Sequence, residues 1–498
     1  MTTQRRISEP QVAAETVARL ATSLERERVR WCHWKSNLAI ARSESAENDL
    51  DLLVDVADRD RFRAVLRDLG FVRVEKHAPP RPPAKEDWFF HDPGTRRVVH
   101  VDAHYELYVG PDRSKNVRLP LEDAFLDSAR SCGLLKVPSP VLEYIVLVLR
   151  LVLKYGIWDE VVWQGLLRRP VEPKRSELAE FDHLRALVTP SQIDEALVAH
   201  LPWLDRDLFD QCVRLVADGA ATGHRLRVGR QLYRSLSTHD SLRRRPAGLV
   251  RLSRRLALAA AGRRGGYPAY RISGGGVIVG VMGGDGSGKS TALDGVESWL
   301  DGMLDTKRIH LGKPPWSRTT IAVRGSLKSL VWIRSRFRPA PSRREFLEPT
   351  NSLRSTLWLA CTARDRLLLF RRARRFADRG GVVLSDRYPH RALSSMEVPQ
   401  IRRLAMGPDL GPVVERLARF EERCHGRIGP ADALVVLRVD PETAVHRKTD
   451  EPSDYVRRRA TEIWDVDWTS TDVQPIDATQ LPDSVVSELE TVVWGALS

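Results

Sequence analysis

The sequence predicts an α/β protein: a doubly wound parallel sheet built on a phosphate-binding loop in its C-terminal part, preceded by an α+β domain and a helical domain. Three observations carry that expectation. An apolar strand pattern, VIVGVM, runs into a glycine-rich turn and then into an amphipathic helical stretch, TALDGVESWL. Two further apolar runs, GGVVLSD and DALVVLRVD, alternate with helical patterns after it, as parallel sheets require. Finally, the 498-residue chain is longer than one hydrophobic core normally serves, so two or three domains are expected.

Taken in order, the N-terminal domain (1–135) begins with a periodic helix from Val12 to Val29. A strand from Leu50 to Val54 follows, then a helix from Asp58 to Leu69 stopped at Gly70, then the strand-like VVHVDAHYELYV. The next segment (136–245) is mostly helical, with breaks near Pro170, Pro190 and Pro202. Its most apolar window, VLEYIVLVLRLVLKYGIW, is interrupted by Glu143, Arg150 and Lys154, which predicts a buried helix rather than a membrane span. A basic linker (246–273) contains RRGGYPAYRISGGG and leads to the C-terminal domain (274–498). There, strands end at Asp386 and after DALVVLRVD; PETAVHRK reads as a helix, an element lies near Ile476 and Asp477, and a last helix starts at Pro482.

The formal charge is +14, and much of the excess falls between 225 and 271, where Arg243, Arg244, Arg245, Arg254, Arg255, Arg263 and Arg264 face only Asp240. Such a run attracts nucleic acid or an anionic membrane surface, or is simply a solvated basic helix between domains. The five cysteines are scattered, with no CxxC pair for zinc and no dense disulfide framework. The first twenty residues show no apolar core followed by a cleavage site, so a cytoplasmic location is expected.

The most specific signal is GGDGSGKST, in which Gly283, Gly288, Lys289 and Ser290 satisfy G-x-x-x-x-G-K-[ST] between strand and helix. The chemistry accounts for each residue type. Gly283, Gly286 and Gly288 let backbone N–H groups curl around phosphate, with Ser287 and Thr291 completing the loop; Lys289 reaches the β/γ-phosphates; Ser290 offers a hydroxyl to Mg²⁺. An acid at a strand end, Asp386 in SDRYPH, can hold Mg²⁺ as well.

With those motifs, residues 274–498 resemble the thymidylate kinase family of nucleoside monophosphate kinases. The resemblance implies ATP as donor, Mg²⁺, and a small nucleotide or other phosphorylated acceptor. It assigns Asp285 to the acceptor sugar, Arg366 in CTARDR to the acceptor phosphate, Asp386 to magnesium and acceptor orientation, and Arg387 to the acceptor phosphate. Arg447, Lys448 and Arg457 to Arg459 would clamp the transferring group, with Arg447 on the ATP side. Met282 stands where the family often has an acid, HLGKPPW replaces an arginine-bearing loop, and an insertion runs from Trp316 to about Arg344. The residues that would read thymine are not recognisable, so the acceptor is not carried over.

In the N-terminal domain Asp49 and Asp51 flank Leu50, an arrangement suited either to a metal site or to the polar edge of a strand. A third acid, Asp102, shares a strand face with His100 and His104, and HWKSN supplies Lys35 and Ser36 at a turn. Residues 30–110 resemble a family of uncharacterised nucleotidyltransferases, which assigns Asp49, Asp51 and Asp102 to metal and Lys35 with Ser36 to the substrate phosphate. Ser36 replaces that family's glycine, and His100 is expected at the surface. The domain is then either an active nucleotidyltransferase or a ligand-binding relative.

The leading expectation is an ATP-dependent phosphotransferase with a nucleotidyltransferase-like module. One alternative is an enzyme acting on nucleic-acid ends through the basic segment 225–271. Another is an ATP-regulated, membrane-peripheral assembly factor, with LVRLSRRLALAAAGRR as a basic amphipathic helix. Oligomeric state is not legible.

Overall fold

The computed structural model describes residues 14–76, 84–92, 97–110, 117–156, 173–219, 222–236, 270–335, 353–393, 398–404 and 411–498. Most of the basic segment, the helix expected at LVRLSRRLALAAAGRR, nearly all of the linker, Pro170 and the end of the insertion lie outside these residues. The chain forms two compact units, Met1–Pro268 and Ala269–Leu497.

In the first unit a mixed sheet runs in the order β1 (Trp31–His33), β2 (Leu50–Val54), β5 (Arg97–His104), β4 (Lys85–Asp92), β3 (Val72–Lys76). β2 and β5 are parallel; the other neighbours are antiparallel. Alternation explains the strands. Val99, Val101 and Ala103 of β5 are buried in the core with Phe62, Val65 and Leu66 of α3 (Arg59–Asp68) and Val17, Leu20 and Leu24 of α1 (Glu15–Arg26), so His100, Asp102 and His104 occupy the opposite face. Each of the valines, leucines and the phenylalanine contributes about 1.5–3 kcal/mol on burial, and Ala103 less.

The helical part is organised by one central helix, Pro140–Tyr155, which starts with proline at its first turn after Ser139 and buries twelve of its 16 residues. Helices Arg175–Leu187, Pro190–His200, Arg206–Asp218 and Thr222–Ser235 pack against it, with Tyr144 ring to ring with Phe181 and Phe209. Among the described residues no helix is long and apolar enough to cross a membrane. The central helix is apolar because helices surround it.

Among the described residues the second unit contains a five-stranded, all-parallel sheet in the order β12 (Thr306–His310), β13 (Val382–Asp386), β11 (Ile278–Gly283), β14 (Ala433–Arg438), β15 (Val473–Asp477). All six residues of β11 are buried, as expected for a central strand covered on both faces. β12 and β13 lie on one side of β11 and β14 and β15 on the other. The direction of strand addition therefore reverses at β11, and in open α/β sheets ligands bind beyond the carboxyl ends of the strands at such a point.

Candidate functional site

Beyond the C-terminal end of β11 the chain turns through Gly283–Gly288 into the helix Lys289–Leu300. Two glycines are required by geometry. Gly288 caps the helix in the left-handed conformation at φ 81°, and Gly286 has φ 86° with a would-be Cβ 2.4 Å from the Ala444 carbonyl oxygen. Lys289 is 7% exposed and donates from Nζ to the Gly284 carbonyl at 2.6 Å. Burial, and secondarily the nearby Arg387 guanidinium, push its pKa down to about 8. The Ser287 hydroxyl is buried with no hydrogen-bond partner among the described residues, whereas Ser290 and Thr291 are exposed.

Asp285 is gripped from two sides. Arg387 donates to one carboxylate oxygen at 2.8 Å and Arg459, from the helix Ser453–Trp464, to the other at 2.9 Å. Arg387 sits at φ 62°, an uncommon conformation for a non-glycine residue, immediately after Asp386 ends β13. Asp386 is buried, and its Oδ1 has no hydrogen-bond partner among the described residues. Its register partner on β12 is His310, whose Nδ1 accepts from the Gly312 and Lys313 amides at 3.1 and 3.2 Å. Burial holds the His310 pKa below its ordinary value despite the Asp386 charge.

Arg366 is buried, donating from Nε to the Leu311 carbonyl at 2.8 Å, with Nη1 3.1 Å from His425 Nε2. His425 is accordingly pushed down to about 4, by burial first and by the Arg366 charge second. Of the remaining basic residues, Arg447 donates to the Ala478 carbonyl, Lys448 pairs with Asp450, and Arg457 pairs with Glu442. Among the described residues, Arg459 alone of these bonds to a side chain of the glycine-rich turn, Asp285. For a divalent cation, Asp386 offers an uncommitted buried oxygen and Ser290 an exposed hydroxyl in the helix's first turn, a donor set that suits Mg²⁺.

The first unit brings a different group together. Register pairs Asp51 of β2 with Asp102 of β5, and Asp102 in turn with Asp87 of β4. Oxygen and nitrogen atoms of Asp51, Asp102 and His104 lie within 4.8 Å of one another, close enough for a cation. Yet the cluster carries its own cations. Lys35 Nζ is 2.7 Å from Asp51, and Lys85 Nζ is 2.9 Å from Asp102 and 3.2 Å from Asp87. The other Asp102 oxygen is 2.9 Å from His104 Nε2. The lysines offset the charge of the cluster, but Lys85 engages only one oxygen of Asp102, so the second oxygen, Asp51 and His104 keep a donor set that a cation could use. Asp49 lies outside the group, exposed before β2 and 2.9 Å from His100.

His100 corrects the expectation of a surface residue. It bridges Asp49 and Asp87, each at 2.9 Å, and although burial opposes its charge these two bonds push its pKa up to about 9. Ser36 takes the left-handed conformation, φ 63° and ψ 31°, so the glycine-type turn is retained without a glycine. Asn37 supports the turn: its amide donates to Glu143 at 2.9 Å and its oxygen is 2.5 Å from His33 Nδ1. Sequence reasoning missed Lys85, Asp87 and His310. The alternation in KEDWFFHD puts Lys85 and Asp87 on one face, a usable signal; nothing local marks His310.

No family model matches the chain. It is similar to a protein called "Uncharacterized ATP-binding protein YghR" from Escherichia coli strain K12, at 25% identity over 230 residues, covering 43% of this chain and 86% of the relative. The same protein from Escherichia coli O6:H1 matches to the same extent.

Proposed function

We propose that the second unit is an ATP-dependent phosphotransferase acting on a nucleotide or another small phosphorylated or hydroxyl acceptor. The observation that supports this most is the convergence of Lys289, Asp285, Arg387 and Asp386 beyond β11 and β13, where the order of a parallel sheet reverses. The resemblance to thymidylate kinases agrees with it, as does the relative's name as an ATP-binding protein.

In this reading the loop amides and the N-terminus of the helix beginning at Lys289 receive the ATP phosphates. Lys289 exchanges the Gly284 carbonyl for a phosphate oxygen and takes up a full charge on doing so, because the anion offsets the burial that lowers its pKa. Asp386 and Ser290 would hold Mg²⁺, which when bound neutralises charge on the phosphates. An acceptor oxygen forms a bond to the γ-phosphorus while the bond to the ADP oxygen breaks in line, a hydroxyl acceptor releasing its proton to solvent and a phosphate acceptor attacking as the anion. Arg387 and Arg459, oriented by Asp285, stabilise charge on the transferring group, and Arg366 with Arg387 attracts an anionic acceptor. The first unit is a nucleotidyltransferase-like module by resemblance, a fold-level analogy.

The test is mass spectrometry of pooled nucleoside monophosphates, sugar phosphates and unphosphorylated sugars after incubation with Mg·ATP. One pool should gain a phosphate with wild-type protein and none with Lys289→Ala. Equal conversion by both proteins, or ATP hydrolysis with no acceptor modified, contradicts the reading.

A further inference from the structure

His310 ends β12 directly opposite Asp386 of the parallel strand β13, so both side chains leave the sheet on one face. That face is the one covered by the helix Lys289–Leu300. Arg308, two residues earlier on β12, bonds to Asp294 of this helix, whereas Ile309 and Leu311 join the core with Ala363 and Leu367. The charges of Asp386, Arg387, Lys313 and Lys289 all bear on the His310 ring, and Arg366 donates to the neighbouring Leu311 carbonyl. The imidazole therefore stands at the edge of the phosphate site.

Its protonation pattern is set by the chain that follows. The amides of Gly312 and Lys313 both donate to Nδ1, at 3.1 and 3.2 Å, so Nδ1 presents a lone pair and the ring proton sits on Nε2. A second proton can enter only at Nδ1, at the expense of both bonds. His310 is thus held as a neutral donor and is unsuited to act as a base. Pro314 and Pro315 follow at once and restrict the backbone of the turn that supplies the two amides. The residue is half-buried, and among the described residues its Nε2 makes no hydrogen bond.

We propose that His310 is a further substrate-contacting residue of the second unit, donating from Nε2 to an anionic oxygen of the phosphoryl acceptor on the β12 side of Asp386. The proposal rests on the reading of this unit as a phosphotransferase. Position supports it: the phosphate loop follows β11, and a molecule lying against the ends of β12 and β13 meets that loop from beyond Asp386. Chemistry supports it as well. A neutral N–H orients an anion without forming an ion pair with the Asp386 carboxylate, and it keeps its proton throughout the transfer.

The test is nuclear magnetic resonance of the full chain, isotope-labelled at the histidine nitrogens. Mg·AMP-PNP fills the phosphate loop, and inorganic phosphate is the probe of the acceptor side. The free protein should carry the His310 proton on Nε2, and phosphate should shift that resonance. Two variants separate contact from support, because an asparagine oxygen reaches the place of Nδ1 and a glutamine amide that of Nε2. His310→Asn, which keeps the loop bonds, should weaken phosphate binding about tenfold with Tm unchanged, and His310→Gln should hold it within about threefold of wild type. A proton on Nδ1, an Nε2 resonance indifferent to phosphate, or the opposite order of the two variants overturns the proposal, the last leaving His310 as an anchor for the turn. Phosphate that shifts Nε2 in a protein that phosphorylates no acceptor supports the contact and refutes only the phosphotransferase reading.

Discussion

Lys289→Met separates the cost of holding this lysine from its use. The ammonium is buried, and moving its pKa from the ordinary 10.5 to about 8 corresponds to about 3 kcal/mol of destabilisation of the charged folded form. Methionine has similar length and no charge, and forfeits one hydrogen bond to the Gly284 carbonyl, worth about 1 kcal/mol. The net expectation is a second unit stabilised by about 2 kcal/mol at pH 7, or a Tm increase of roughly 4–8 °C for a unit of this size. Between pH 8 and 10.5 the unfolded chain binds more protons at this position than the folded one, so wild-type stability rises through that window. The advantage of the methionine variant is therefore full below pH 8 and fades toward pH 10.5. Differential scanning calorimetry across this range, with phosphoryl transfer measured in parallel, should show a more stable and inactive protein. A variant less stable than wild type at pH 7, or one whose advantage does not shrink with rising pH, refutes the reasoning.

Three further outcomes are expected. Gly286→Ala places a methyl group 2.4 Å from the Ala444 oxygen at φ 86°, and should destabilise the second unit by about 1–3 kcal/mol in thermal unfolding while abolishing ATP retention. Asp386→Asn removes charge from a carboxylate whose Oδ1 has no hydrogen-bond partner among the described residues; turnover should fall on the order of a hundredfold with Tm within a degree or so of wild type. Glu143 is pushed up to about 7 by burial, so the folded chain binds more protons than the unfolded one between pH 4.5 and about 7, and stability declines as pH rises through that window. Glu143→Gln should remove this decline and stabilise the first unit by up to about 3 kcal/mol above pH 7, read from Tm against pH.

What was legible in the sequence was local. The strand from Leu50 to Val54, the buried helix after Ser139, the turn at Gly283–Gly288 and the strand ending at Asp386 each follow from periodicity and residue type within a dozen positions. What was hidden depends on register and on long-range pairing. Asp285 meets Arg387 and Arg459, which are 102 and 174 positions away in the chain. Asp102 meets Lys85 only because β4 and β5 pair with Asp87 opposite Asp102. That pairing changes the chemistry of the acidic cluster: from sequence alone the aspartates look like donors awaiting a metal, whereas in the fold each has a protein cation or imidazole beside it. His100 shows the same effect, since an alternating polar position becomes a half-buried bridge once Asp87 lies near it.

γ-Phosphoryl transfer by the second unit is tested most directly by parallel reactions with ATP labelled at the α or the γ phosphorus, run with wild-type protein and with Lys289→Ala against pooled phosphorylated and hydroxyl acceptors. Label should leave only the γ position, enter one acceptor pool, and stop moving when Lys289 is replaced. Transfer from the α position that survives Lys289→Ala, with none from the γ position, would contradict the assignment and make the first unit the working enzyme.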